Sequence, residues 1–227
     1  MAATSTYTSE LQRSPLGNQI ADSLRHDIIF GVLRPGTRVS QQEMCDRFGT
    51  SRMPVRDALR ILVEEGLMTV DSNRRIVVAP LTREDLLDAF TIQGVLTGMA
   101  TERASRRAEQ SELDELQVMQ SRMVQAAHAD DLDAMVDLNW TFHRRINRMA
   151  GSRKLLVAIR KVSVDLPRDY LAQLPQWSER SITEHAEIIE AMTRRKHRAA
   201  RDLMVEHVIS SGRGLIEYLE SLGIDLD

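Results

Sequence analysis

Between Ser51 and Leu67 the stretch SRMPVRDALRILVEEGL puts Val55, Leu59, Leu62 and Val63 on one helical face, at i, i+4, i+7 and i+8. Arg52, Arg56 and Arg60 repeat every four residues on another face. Ser51 stands as N-cap, Pro54 falls in the first turn and Gly66 closes the helix. Upstream, Ile20, Leu24, Ile28 and Ile29 form one apolar stripe that ends before Gly31, with His26 off the stripe as a surface residue. Arg34–Ser40, RPGTRVS, reads as a Pro-Gly turn and a short extended piece. Ser40 and Glu43 have capping-box spacing, so a second helix starts there, ends near Phe48, and turns through Gly49 and Thr50 into the arginine-bearing helix. The pattern predicts a helix-turn-helix.

After Gly66, LMTV and IVVAP are β-branched segments joined by the polar Asp71–Arg75, a two-stranded hairpin with Arg74 and Arg75 at its tip. Such a wing can bring arginines to phosphates or a minor groove. From Thr82, which caps the next helix ahead of Glu84 and Asp85, only helical patterns follow: 83–108, 111–129, 131–150, 152–172, 178–195 and 198–220. Breaks fall at Asp130, at Gly151 and Ser152, at Pro175 and near Lys196, and Pro167 should kink the fourth pattern. The expected fold is mainly α: a winged helix-turn-helix with a small β-hairpin, then an all-α antiparallel helical bundle. The expected division is a flexible tail over 1–13, a DNA-binding domain over 14–80 and an effector-binding and dimerisation domain over 81–227.

Composition narrows the function classes. With 227 residues, 42% hydrophobic and only 4% aromatic, the chain can bury two modest cores. One cysteine, Cys45, excludes an intramolecular disulfide framework; a small buried residue suits it best. No apolar run approaches the ~18 residues of a membrane span and no signal-peptide core is present, so a cytoplasmic protein with no membrane partner is expected. The net charge of -3 does not announce a nucleic-acid binder, yet residues 1–80 carry ten arginines against nine acids. Clustering decides. A helix entering a major groove needs an apolar underside and guanidinium groups near its N-terminus, although a solvated basic face would leave the same pattern.

The bundle's chemistry lies in polar residues that interrupt apolar stripes. Asn139 and His143 break the stripe Leu132, Met135, Val136, Phe142, Ile146; His185 lies among Ile182, Ile189 and Met192, and His207 among Ala200, Leu203 and Leu215. His185 and His207 each lie about ten residues from the break near Lys196, so at about 1.5 Å per residue both stand roughly 15 Å from the turn of a helical hairpin. Three imidazoles and an amide oxygen at one level can hold a divalent transition metal, and they can equally be hydrogen-bonded core groups. Glu184 should point about 100° away from His185, leaving the site without an inward carboxylate.

FGVLRPGTRVSQQEM, FGTSRMPVRDALRILVEEGLMTV and the hairpin resemble the DNA-binding domain of GntR-type bacterial transcription regulators over residues 16–80. The resemblance implies DNA contacts from Ser51, Arg52 and Arg56, with Gln42 where relatives often have arginine and Arg75 where the wing tip usually has glycine. NWTFHRRI, TEHAEIIEAM and ARDLMVEHV resemble the FCD ligand-binding domain of the FadR subfamily over residues 82 to about 220. That resemblance implies a metal, with zinc, nickel and manganese all open, on Asn139, His143, His185 and His207, and small carboxylates beside it. Asn139 occupies an aspartate-or-asparagine position; the neutral amide favours an anionic ligand and weakens the metal. Gln93 stands where an arginine usually clamps a carboxylate and Thr97 replaces a frequent glutamate, so a less charged effector is also open.

The expectation is a ligand-responsive DNA-binding transcription regulator, a repressor by family habit, that pairs as a homodimer on a double-stranded palindromic operator. It is not an enzyme. Two alternatives are a metal-dependent hydrolase using the three histidines, which lacks a general base, and a DNA-binding dimer with neither metal nor effector.

Overall fold

The apolar stripe of the first segment forms α1, Leu16–Ile29, and packs against α3, Arg52–Glu64, with the short α2, Gln41–Phe48, set against α3. This computed structural model describes residues 15–163, 171, 174 and 176–226; the expected tail over 1–13, the kink at Pro167 and the break at Pro175 lie outside them. The chain divides into an N-terminal unit ending at Leu81 and a C-terminal unit over Thr82–Asp225.

In the first unit Ile20, Leu24, Ile28, Cys45, Val55, Leu59 and Leu62 are buried together with Met68 and Val78 of the hairpin. Each fully buried aliphatic side chain contributes roughly 1.5–3 kcal/mol, so this cluster holds α3 with its arginine face outward. α2 begins with the capping box read from the sequence: Ser40 Oγ accepts from Glu43 N at 3.2 Å and Glu43 Oε2 from Ser40 N at 3.4 Å. Gly49, left-handed at φ 59°, ends it. Ser51 holds the N-cap position of α3, but its hydroxyl makes no capping hydrogen bond and stays exposed.

β1, Met68–Val70, pairs antiparallel with β2, Ile76–Val78, in the register Met68 to Val78 and Val70 to Ile76. The extended piece before α2 joins the other edge of β2, where Val39 N donates to Ile76 O and Val78 N to Thr37 O, each at 2.9 Å. At the tip, Asp71 Oδ1 accepts from the backbone of both Asn73 and Arg75 at 2.8 Å. Arg74 takes the left-handed conformation, φ 60°. The residue bearing the turn is therefore Arg74, not Arg75, and a side-chain-closed Asx turn does the work that a tip glycine would do. A part-buried ion pair that the periodicity does not reveal ties α1 to the end of α3: the buried Arg25 donates to Glu65 Oε2 at 3.0 Å and Oε1 at 2.8 Å, and to Asp22 at 2.7 Å.

The second unit is a helical bundle: α4, Arg83–Arg107; α5, Gln110–His128; α6, Leu132–Met149; α7, Arg153–Val162; α8, Trp177–Thr193; and α9, His197–Ser221. The expected boundaries agree within two residues, except that α7, expected over 152–172, ends at Val162. Caps explain several starts: Thr82 and Asp85 form a reciprocal capping box, Asp131 caps Ala134 N and Ser152 caps Leu155 N. α4 packs along α9 and also touches α6 and α7, while α5 packs on α6 and α8. Small residues permit the α4–α9 approach: a Cβ on Gly98 would lie 2.5 Å from Val205 Cγ2, and one on Gly212 2.5 Å from Phe90 Cγ. Backbones this close fix the rotation of α9, and with it the direction His207 faces.

Candidate metal centre and nucleic-acid interface

Three histidines from three helices converge inside the bundle. His143 stands on α6, one turn after Asn139; His185 lies mid-way along α8 and His207 mid-way along α9. The Arg194–Lys196 turn folds α9 back along α8, and His185 and His207 meet level, as helical arithmetic requires, with Nε2 atoms 3.2 Å apart. His207 Nε2 is also 3.1 Å from His143 Nε2. Phe142, fully buried, stacks on the His185 ring at a centroid distance of 4.1 Å and limits its rotation.

Glu184 corrects the sequence reading. Its Oε2 lies 2.6 Å from His207 Nδ1, and its Oε1 accepts from Ser210 Oγ at 3.3 Å. A carboxylate does pair with the site, from behind the His207 ring. Its rotation away from His185 aims it at α9, and the adjacency of Glu184 to His185, with Ser210 one turn after His207, was the only signal available. The carboxylate accepts, so His207 Nδ1 carries the hydrogen and Nε2 presents a lone pair toward the other two rings.

That tautomer bears on what the cluster can hold. An imidazole nitrogen has one in-plane lone pair, so His207 Nε2 can accept a good hydrogen bond from His143 or from His185, not from both. Burial, followed by the neighbouring His207, pushes the His143 pKa down to about 3; the same causes, with His143 added, hold His185 well below the ordinary histidine value of 6.5. Both rings are neutral near pH 7, the form in which imidazole ligates metals. For metal–nitrogen distances of about 2.0–2.1 Å, neighbouring ligand nitrogens sit roughly 3.0 Å apart in an octahedral shell and roughly 3.4 Å in a tetrahedral one. The observed 3.1 and 3.2 Å fall between these. Asn139 Oδ1, one turn before His143, is buried with no hydrogen-bond partner among the described residues. Three converging imidazole nitrogens beside an unsatisfied amide oxygen fit a divalent transition metal.

Gln93 and Thr97 lie one turn apart on α4, which packs against both α6 and α9. Gln93 Oε1 is likewise buried without a partner, whereas the Thr97 hydroxyl donates back to Gln93 O at 2.8 Å. Thr97 thus has its donor occupied and retains only acceptor capacity.

On the first unit, Gln42, Ser51, Arg52, Arg56, Arg74 and Arg75 are all exposed. Arg52 Nη2 donates to Gln42 Oε1 at 3.3 Å, which couples the two helices of the motif. Gln42 also donates to Asp46 at 3.0 Å. Arg60, the third member of the expected ridge, is engaged by Glu64 at 2.5 Å. Arg56 makes no ion pair among the described residues and is the freest cation of that face. No helix among the described residues is long and apolar enough to cross a membrane.

Comparison with known proteins agrees with both units. The family model described as "Bacterial regulatory proteins, gntR family" matches residues 16–78, and that described as "FCD domain" matches residues 88–210. The HTH-type transcriptional repressor RspR of Escherichia coli is 26% identical over 196 residues, 86% of each chain. The uncharacterised HTH-type transcriptional regulator YdhC of Bacillus subtilis is 25% identical over 197 residues, 86% of this chain and 88% of the relative. In fold, the chain is similar to the solved structure of E. coli McbR/YncC, with a TM-score of 0.62 at 22% identity over 92% of this chain and 99% of that one. The matched relatives are transcription regulators, not enzymes. The chain belongs to the GntR-type bacterial transcription regulators, DNA-binding proteins of the group that carries an FCD domain.

Proposed function

We propose that this regulator represses transcription as a homodimer on a palindromic operator, and that a small-molecule effector acts through a metal-centred pocket in its bundle. The DNA contacts in this reading come from Gln42, Ser51, Arg52 and Arg56, with Arg74 and Arg75 reaching from the wing. The metal ligands are Asn139, His143, His185 and His207, and Gln93 and Thr97 border the effector. The observation that carries it is the convergence of His143 and His185 Nε2 on His207 Nε2 at 3.1 and 3.2 Å, with His207 oriented by Glu184.

When bound, a zinc, nickel or manganese ion supplies a Lewis-acidic cation with open positions for an effector oxygen. The protein's part is to keep two imidazoles neutral by burial, to hold the third in its Nδ1–H tautomer, and to leave Asn139 Oδ1 and Gln93 Oε1 without hydrogen-bond partners among the described residues. Among the described residues the bundle buries no arginine or lysine side chain. A carboxylate effector would therefore owe its charge recognition to the ion, and neutral amide groups would supply the rest.

Two ligands on one regulator are thermodynamically linked, so an effector that weakens operator binding is itself bound more weakly by the operator complex. The experiment is selection of duplexes from a random pool by the full chain. The expected product is an inverted repeat with half-sites about one helical turn apart, or a multiple of that. Recovery of one asymmetric half-site, bound by a single copy, contradicts the dimeric reading.

A further inference from the structure

α4 keeps one face free of the rest of its own unit. Asp88, Ile92, Val95, Met99 and Arg103 are exposed along it at helical spacing, and Ile92, Val95 and Met99 remain 51%, 47% and 39% accessible. The other side of the helix is buried through Phe90, Gly94, Gly98 and Thr101. Three exposed aliphatic or thioether side chains in one line are an apolar strip that gains by leaving water. Asp88 and Arg103, at its two ends, make no ion pair among the described residues, although other charges on the helix are matched: Arg83 with Glu220 and Arg106 with Glu102.

The strip is complementary to itself. Reversing the helix end for end about the point between Val95 and Leu96 carries Asp88 onto Arg103, Ile92 onto Met99, and Val95 onto the half-buried Leu96. The signs continue outward, with exposed Glu84 and Asp85 before Asp88 and exposed Arg106 and Arg107 after Arg103. A second copy laid antiparallel across a twofold axis therefore sets apolar groups against apolar groups and forms each carboxylate–guanidinium pair twice. A parallel pairing would set acidic end beside acidic end.

We infer that two copies of this chain associate through antiparallel α4 helices, with the twofold axis passing between Val95 and Leu96. This rests on the homodimer proposed above and specifies its interface and register. Gln93 follows Ile92 directly, so in this arrangement the effector pocket and the dimer contact share one helix.

The test is charge reversal in the full chain, followed by sedimentation velocity at micromolar concentration and moderate salt. Asp88→Arg opposes arginine to arginine twice in its homodimer, and Arg103→Asp opposes carboxylate to carboxylate twice. Each variant alone should weaken dimerisation by roughly tenfold to several hundredfold, with an unchanged helical circular dichroism spectrum. Mixed in equal amounts, the two variants should recover dimers, because the heterodimer restores both opposite-charge pairs. Wild-type-like dimers from both single variants, or no recovery on mixing, would overturn the register while leaving homodimerisation standing. A wild-type chain that stays monomeric at these concentrations overturns the register and the homodimer together.

Discussion

Glu184 Oε2 lies 2.6 Å from His207 Nδ1, behind the ring whose Nε2 faces His143 and His185. The contact turns three nearby histidines into a directed set, because it removes one tautomer of His207 and adds electron density to the nitrogen that faces the cluster. Partners of this kind are worth about 10–100-fold in metal affinity. Glu184→Ala should weaken metal binding by that amount in a chelator competition, while Glu184→Gln, which can still accept from Nδ1–H, should lose less. Equal affinity in all three proteins would reduce the contact to a packing detail.

Metal-free protein should lose stability on mild acidification. The folded-state pKa values of His143, about 3, and His185, well below the ordinary value, are depressed by burial, so below pH 6.5 the unfolded chain binds protons that the folded chain does not. Stability is complete above about pH 6.5 and declines as pH falls toward the folded values, by up to ~1.4 kcal/mol per pH unit per histidine. Urea midpoints of chelator-treated protein between pH 7.5 and 5 read this directly. In His185→Phe the pH slope should be shallower, and an unaltered slope would contradict the assignment.

Operator binding should depend unequally on the arginine ridge. Arg56 is exposed with no ion pair among the described residues, Arg52 is tethered by Gln42, and Arg60 is engaged by Glu64. Arg52→Ala and Arg56→Ala should each weaken binding and reduce the salt dependence by about one counterion where the contact is to phosphate, or cost about 1–3 kcal/mol where it is to a base. Arg60→Ala should change little. A fluorescence anisotropy series in salt separates these cases, and an Arg60 effect larger than that of Arg56 would reverse the assignment.

The α4–α9 seam should resist any added atom. A Cβ at Gly212 would meet Phe90 Cγ at 2.5 Å and Phe90 Cβ at 2.7 Å, positions near the root of the ring that cannot swing aside. Gly212→Ala should therefore destabilise the bundle by about 1–3 kcal/mol despite its higher helix propensity. Denaturant unfolding measures it; a stabilised variant would mean that the helices separate more easily than the packing implies.

Most helix bounds and the level meeting of His185 with His207 were legible because both follow from local rules: apolar periodicity, capping residues and a fixed rise per residue. What escaped depends on neighbours that a helical wheel does not contain. Glu184 points away from His185 on its own helix, and only the position of α9 turns that direction into a contact with His207. Arg25 lies buried on α1 only because Glu65, forty residues on, arrives beside it. At the wing tip Asp71 closes the turn with its side chain and gives the left-handed conformation to Arg74, a contact that alternation of residues along the hairpin does not disclose. Spacing alone leaves open whether these histidines are metal ligands or hydrogen-bonded core groups, and it is the family resemblance that implies the former.

In the proposed function His143, His185 and His207 hold a metal. Elemental analysis of the untagged full chain, purified without chelator alongside His143→Ala, tests it most directly. About one equivalent of zinc, nickel or manganese is expected in the wild-type protein and is lost in the variant, with the helical spectrum retained. Absence of metal from both, persisting after incubation with each ion, would contradict the claim and leave a winged-helix regulator whose bundle serves dimerisation without a metal-centred effector site.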